Sequence, residues 1–142
     1  MEAVSTDECV AVKVELEKKT VNATMDSGAG PSVIDMGTLE LLGLRNKITP
    51  CNENLVNASG HDMDIAGVVS INVQIRGTKR VRHEFKVLNA KTYTNVLLGR
   101  DFMKLFGTVT FDFVANRIRL GRIWINGVRV RDNEKVELLI EL

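Results

Sequence analysis

Val68 to Ile75 alternates cleanly: Val69, Ile71, Val73 and Ile75 against Ser70, Asn72, Gln74 and Arg76. A period of two sends the two sets to opposite faces of an extended strand, so this stretch predicts a half-buried strand and not a helix. Gly77-Thr78 supplies a turn and Val81 to Leu88 the return strand. The same period runs through Val10, Val12, Val14 and Leu16, with Ala11, Lys13 and Glu15 on the other face. Lys18-Lys19 is read as a turn and Val21 to Met25 as the strand that comes back.

Further along, Pro31 to Asp35 reads as a short strand, and Thr38 to Leu42 as one or two helical turns stopped by Gly43. Leu55-Val56 and Met63 to Ile65 flank Asn57-Ala58-Ser59-Gly60-His61-Asp62, a hairpin with small residues at its tip. Val109 to Phe113 and Arg117 to Leu120 form another hairpin. In Ile123 to Val130, Asn126-Gly127 predicts a tight turn between two further strands, because that pair suits the twist of a two-residue hairpin. Many short strands at regular spacing, with one or two short helices, predict an all-β, barrel-like domain.

The chain has 142 residues, enough for one domain with a real core and too few for two ordinary ones. Aromatic residues are few, so Val, Ile, Leu and Met must fill that core. A formal net charge of +1 gives no reason to expect nucleic-acid binding, and the basic stretch Arg76 to Arg82 reads as a solvated turn. No apolar run is long enough to span a bilayer, and the acidic residues 1–8 lack the apolar centre of a signal peptide. The expectation is a cytoplasmic protein with no membrane partner. Cys9 and Cys51 then stay thiols, and the glycosylation-like Asn22-Ala23-Thr24 and Asn57-Ala58-Ser59 are chance matches. His61 and His83 have no ligand-spaced partners, so neither a metal nor another cofactor is expected.

Two stretches carry chemistry. In Ala23-Thr24-Met25-Asp26-Ser27-Gly28-Ala29 an apolar strand ends on a carboxylate and turns at once through a hydroxyl, a glycine and a small residue. Such a turn holds a carboxylate still and partly out of water. Asp, Ser and Gly are also common turn formers, so these residues by themselves fit a plain surface turn as well. The second stretch is Val96-Leu97-Leu98-Gly99-Arg100-Asp101-Phe102-Met103, a short apolar strand that stops on Gly-Arg-Asp and passes into a helix-like segment over residues 102–106.

Asp-Ser-Gly-Ala, a glycine-tipped hairpin and then Leu-Leu-Gly-Arg-Asp-Phe, in that order, resemble the retropepsin family of aspartic proteases. The resemblance is closer to the proteases of long-terminal-repeat retroelements than to those of lentiviruses, and covers about residues 10 to 121. It implies a retropepsin-like closed barrel active as a homodimer, since the chain holds a single Asp-Ser-Gly-Ala and the second carboxylate must come from another copy. It further implies that Asp26 is the catalytic acid and base, that Ser27 braces the pair across the two-fold axis, and that Gly28 offers its carbonyl to substrate. Ala29, Val33 and Leu97 would line the substrate site. Ala58, Ser59 and Gly60 would close over it as a flap, and Gly99 and Arg100 would support the active-site loop.

The implied activity is peptide hydrolysis, with a retroelement polyprotein as substrate, in the cytoplasm or within virus-like particles. A domesticated protease of cellular proteins and a silent dimerisation module are the alternatives; the intact motif argues against the latter. Two departures stand out. Retroviral members often carry an acidic residue after the Ala, where this chain has Gly30, which leaves Asp101, Asp35 or an acidic residue of a second subunit as the partner of Arg100. Residues 122–142 run past the usual end of the family core, so the expected division is a protease domain at 1–121 and an extension at 122–142, made of a β-hairpin and a tail, that serves as interface or linker.

Overall fold

A computed structural model describes residues 9–51, 55–56, 60, 62–89, 95–129 and 140–141. The alternating runs pair as strands. β1 (Cys9–Leu16) and β2 (Lys19–Asp26) are antiparallel along their whole length, from Cys9 opposite Asp26 to Leu16 opposite Lys19. That register moves the turn one residue ahead of the expected Lys18-Lys19, to Glu17-Lys18. Both residues have positive φ (50° and 73°), as a two-residue turn with the twist of paired strands requires. The Glu17 carboxylate accepts from the Asn72 backbone N–H at 2.9 Å, which ties this turn to a neighbouring strand.

The main sheet also contains β3 (Val33–Asp35), β6 (Ile65–Gln74), β7 (Val81–Leu88) and β8 (Val96–Leu98). They join in the order β1-β6-β7-β3-β8-β2, and β2 pairs back to β1, so the sheet closes on itself. Closure satisfies the edges that an open sheet would leave unpaired. A two-residue strand, β12 (Ile140–Glu141), lies along the first half of β2, and β8 lies along its last half. β4 (Leu55–Val56) and β5 (Asp62–Met63) pair as the expected hairpin.

Inside the ring sit the residues that the period placed there. Val10, Val12, Val14 and Leu16 from β1, Val69, Ile71 and Val73 from β6, and Phe85 and Val87 from β7 are all essentially inaccessible to solvent. Each such aliphatic side chain is worth about 1.5–3 kcal/mol of burial. Two short helices close the ends. α1 (Met36–Leu41) starts at Asp35, whose Oδ1 accepts from the Thr38 N–H at 2.7 Å, and contributes Leu39 to the core. α2 (Arg100–Met103) runs on into a tight turn over Lys104–Phe106 and contributes Phe102 and Met103. No described helix is long and apolar enough to cross a membrane.

β9 (Val109–Asp112), β10 (Arg117–Leu120) and β11 (Ile123–Asn126) make a second, antiparallel sheet. Here the expected turn is corrected. β11 reverses from β10 through Gly121-Arg122, with Gly121 at φ +63°, and not through Asn126-Gly127. The chain instead leaves the sheet after Asn126. Gly127 donates its N–H to the Asn116 carbonyl at 2.7 Å, and Val128 donates to the Ala11 carbonyl on β1 at 2.7 Å. The chain is thus fastened to Asn116 and to β1 at the point where a hairpin would have turned it.

Candidate active site

β8 carries the geometry of this region. It lies between β2, parallel to it (Thr24 opposite Leu97, Met25 opposite Leu98), and β3, antiparallel (Val33 opposite Leu97). Three sequence-distant segments therefore meet side by side: the strand that ends on Asp26, the strand that begins at Val33, and the strand that leads into Gly99-Arg100.

Asp26 is the half-buried last residue of β2. Its Oδ1 accepts the Gly28 N–H at 2.8 Å, and its carbonyl accepts the Ala29 N–H at 3.2 Å. The carboxylate is thus tied to its own turn through Oδ1. Space at Gly28 is tight: a Cβ there would stand 3.2 Å from Asp26 Oδ1, so the carboxylate would have to give by a few tenths of an ångström. Its φ lies outside the left-handed region, so conformational freedom is not the reason for the glycine.

The loop after Asp26 wraps around Gly99. Arg100 and Asp101 donate their backbone N–H groups to the carbonyls of Ala29 (2.8 Å) and Gly30 (3.0 Å). A Cβ at Gly99 would lie 2.6–2.8 Å from the carbonyl oxygens of Pro31, Gly30 and Ala29. Only a residue without a side chain passes there.

Arg100 takes none of the partners expected for it within its own chain. Its Nη1 donates to the Ser27 carbonyl at 2.9 Å, directly beside Asp26. Asp101 is engaged elsewhere: its Oδ1 accepts from Ser32 Oγ at 2.7 Å, and its Oδ2 lies 3.2 Å from both the Ser32 N–H and His83 Nε2. Asp35 serves as the cap of α1. With Gly30 in place of an acid, the arginine reaches a backbone carbonyl of the turn itself.

Asp26, Ser27, Gly28, Ala29, Val33, Leu97, Gly99 and Arg100 are thus gathered at one place. Gly60 is exposed, at φ +85°, on the β4–β5 hairpin, while Ala58 and Ser59 lie outside the described residues. Sequence reasoning missed Ser32 and His83. Ser32 is fully buried, accepts the Gly99 N–H on its Oγ at 3.1 Å and bonds Asp101. His83 meets Phe85 and Phe102 edge-on, with ring centroids 5.6 and 5.3 Å away. The available signal was its phase on β7, the inward phase shared by Phe85 and Val87.

A family model described as gag-polyprotein putative aspartyl protease matches residues 12–105. No curated protein sequence matches the chain. Among solved structures it is similar to the retroviral protease-like domain of Ddi1 from Leishmania major, with 20% identity, a TM-score of 0.68, and coverage of 86% of this chain and 95% of that one. It is similar also to a retropepsin-like aspartic protease from Rickettsia conorii, with 17% identity, a TM-score of 0.58, and coverage of 78% and 81%. For the EIAV protease bound to the inhibitor HBY-793, the values are 16% identity, a TM-score of 0.55, and coverage of 75% and 96%. These likenesses establish a shared fold.

Proposed function

Because the chain belongs to the gag-polyprotein putative aspartyl protease family, we propose that it is a homodimeric aspartic endopeptidase that processes a retroelement polyprotein. The observation that carries this reading is Asp26, presented at a strand end on a turn braced by Gly99 and Arg100. The chain has a single Asp-Ser-Gly-Ala, so two copies would each lend one carboxylate to a shared site.

Two carboxylates a few ångströms apart cannot both ionise easily and titrate as a coupled pair. One takes a proton from a water molecule held between them, and that water attacks the scissile carbonyl. The other, protonated, assists the carbonyl oxygen and then the leaving nitrogen. Ser27 would brace the pair, Gly28 would accept from substrate backbone, and Ala29, Val33 and Leu97 would line the pocket under the 55–65 hairpin. Arg100, drawing on the Ser27 carbonyl, keeps the turn from rotating.

The test is cleavage of a polyprotein-derived peptide over a range of chain concentrations. The rate per chain should rise with concentration, peak at mildly acidic pH, and vanish with a statine-type transition-state mimic. Cleavage that ignores the mimic would refute the reading.

A further inference from the structure

The barrel wall has one unsealed stretch. β1 meets β6 only through Glu15 opposite Gln74 and Leu16 opposite Val73. Beyond Leu16 the strand ends in its turn, and two loops take its place on the β6 edge. Glu17 donates its N–H to the Asn72 carbonyl at 3.0 Å, and its carboxylate accepts the Asn72 N–H. Further along the same edge, Thr49 and Val68 exchange both backbone bonds at 2.8 Å. Gly67 leaves no room for a Cβ beneath the Thr49 carbonyl, so that loop is seated firmly on the strand.

Between these two anchors stands Ser70, exposed. Alternate residues of a strand send N–H and C=O to the same edge. Val68 and Asn72 send theirs to this one, so Ser70 does too. The far side of the strand agrees. Lys86, opposite Val68, gives its N–H to the Ser32 carbonyl at 2.9 Å, away from β6. Val68–Lys86 and Ser70–Glu84 are therefore the non-bonded pairs of the β6–β7 ladder. The Ser70 N–H and C=O point into the gap, and no described residue stands opposite them.

The gap opens into a cleft of about 510 Å³. Leu44 and Val68 give it an apolar side, and the charges of Lys47 and Arg82 balance those of Glu17 and Glu84. Nothing in that balance selects an anion such as phosphate. What the cleft lacks is one acceptor for the Ser70 N–H and one donor for its C=O, and one residue of an extended chain supplies both. From Val68 to Asn72 the edge runs roughly 13 Å, room for about three such residues. The cleft stands at the Glu17 end of the β1–β2 pair and Asp26 at the other end, roughly 25 Å away.

We propose that this gap is a second docking site for the substrate polypeptide, which adds an extended segment to the β6 edge at Ser70 while Asp26 acts on a distant bond of the same chain. The proposal rests on the protease reading above and adds a binding site to it. The segment is recognised through its backbone, with an apolar side chain against Leu44 and Val68.

Kinetics with two substrates test it: a polyprotein, and a decapeptide spanning its cleavage site, which is too short to reach the cleft. Ser70→Pro removes the donor and puts a ring where the segment would lie. It costs β6 no bond to β7, and proline is tolerated on a free strand edge. Ser70→Trp keeps the donor and the ladder but fills the cleft, so it decides the matter if the proline lowers the melting temperature. Both should raise KM for the polyprotein about tenfold, with kcat held, and leave the decapeptide constants as in wild type. A wild-type KM for the polyprotein in the folded variants overturns the site and leaves the protease standing. An equal rise for both substrates overturns it too, because the effect then reaches the active site through the fold. Weaker dimerisation with no change specific to the polyprotein gives the edge to a second copy and also overturns it. If wild type cleaves neither substrate, the protease reading falls and this site falls with it.

Discussion

Asp26→Asn should lower peptide cleavage by at least about a thousandfold, which is roughly 4 kcal/mol on the barrier. An amide cannot take the proton of the attacking water. The fold should survive, because the asparagine Oδ1 can accept the Gly28 N–H as the carboxylate oxygen does. Dimerisation should hold or tighten, since a like charge is removed where two copies would meet. Sedimentation and melting on the same preparation check both points. A variant that keeps a few per cent of the wild-type rate points to a different catalytic group.

Gly99→Ala should damage stability and activity together. Its backbone, at φ −95°, is one that alanine adopts freely, so no conformational penalty applies. The cost is steric: the new methyl would meet three carbonyl oxygens, of Ala29, Gly30 and Pro31, at 2.6–2.8 Å. Backbone carbonyls held by the Arg100 and Asp101 amides cannot step aside singly. Overpacking of this kind costs about 1–3 kcal/mol. In a chain of this size that is a fall of about 3–10 °C in melting temperature. The loop that yields is the one carrying Asp26, so cleavage should fall about a hundredfold with the substrate-binding constant moving less, as expected for a displaced catalytic group. Wild-type melting with full activity in Gly99→Ala would mean that the loop does not wrap Gly99 as described.

The sequence shows some of this plainly. The run from Val69 to Ile75 alternates with the period of a strand, and those residues are the barrel wall. Asp26 and Gly99-Arg100 stand out because turn chemistry follows an apolar strand end in both places, and β8 brings the two together. Position was less legible than type. Asn126-Gly127 is the stronger hairpin dipeptide, yet Gly121-Arg122 turns the chain, because the pairing of Arg117–Leu120 with 123–126 sets the register and Gly127 is fastened to Asn116 and packed on Val10.

The partner of Arg100 was invisible for a different reason. A sequence displays acidic side chains and hides backbone carbonyls, so the Ser27 carbonyl was never among the candidates. Ser32 and His83 escaped because each reads as an ordinary strand residue until Asp101 is placed between them.

Subunit mixing addresses the shared site most directly. Wild-type chain at fixed concentration is equilibrated with increasing Asp26→Asn chain, and cleavage is measured at each ratio. If one Asp26 from each of two copies makes the site, mixed dimers are dead. The rate per wild-type chain then falls in proportion to the wild-type fraction and approaches zero in excess variant. A rate that stays constant however much Asp26→Asn chain is added would contradict a site built from two copies.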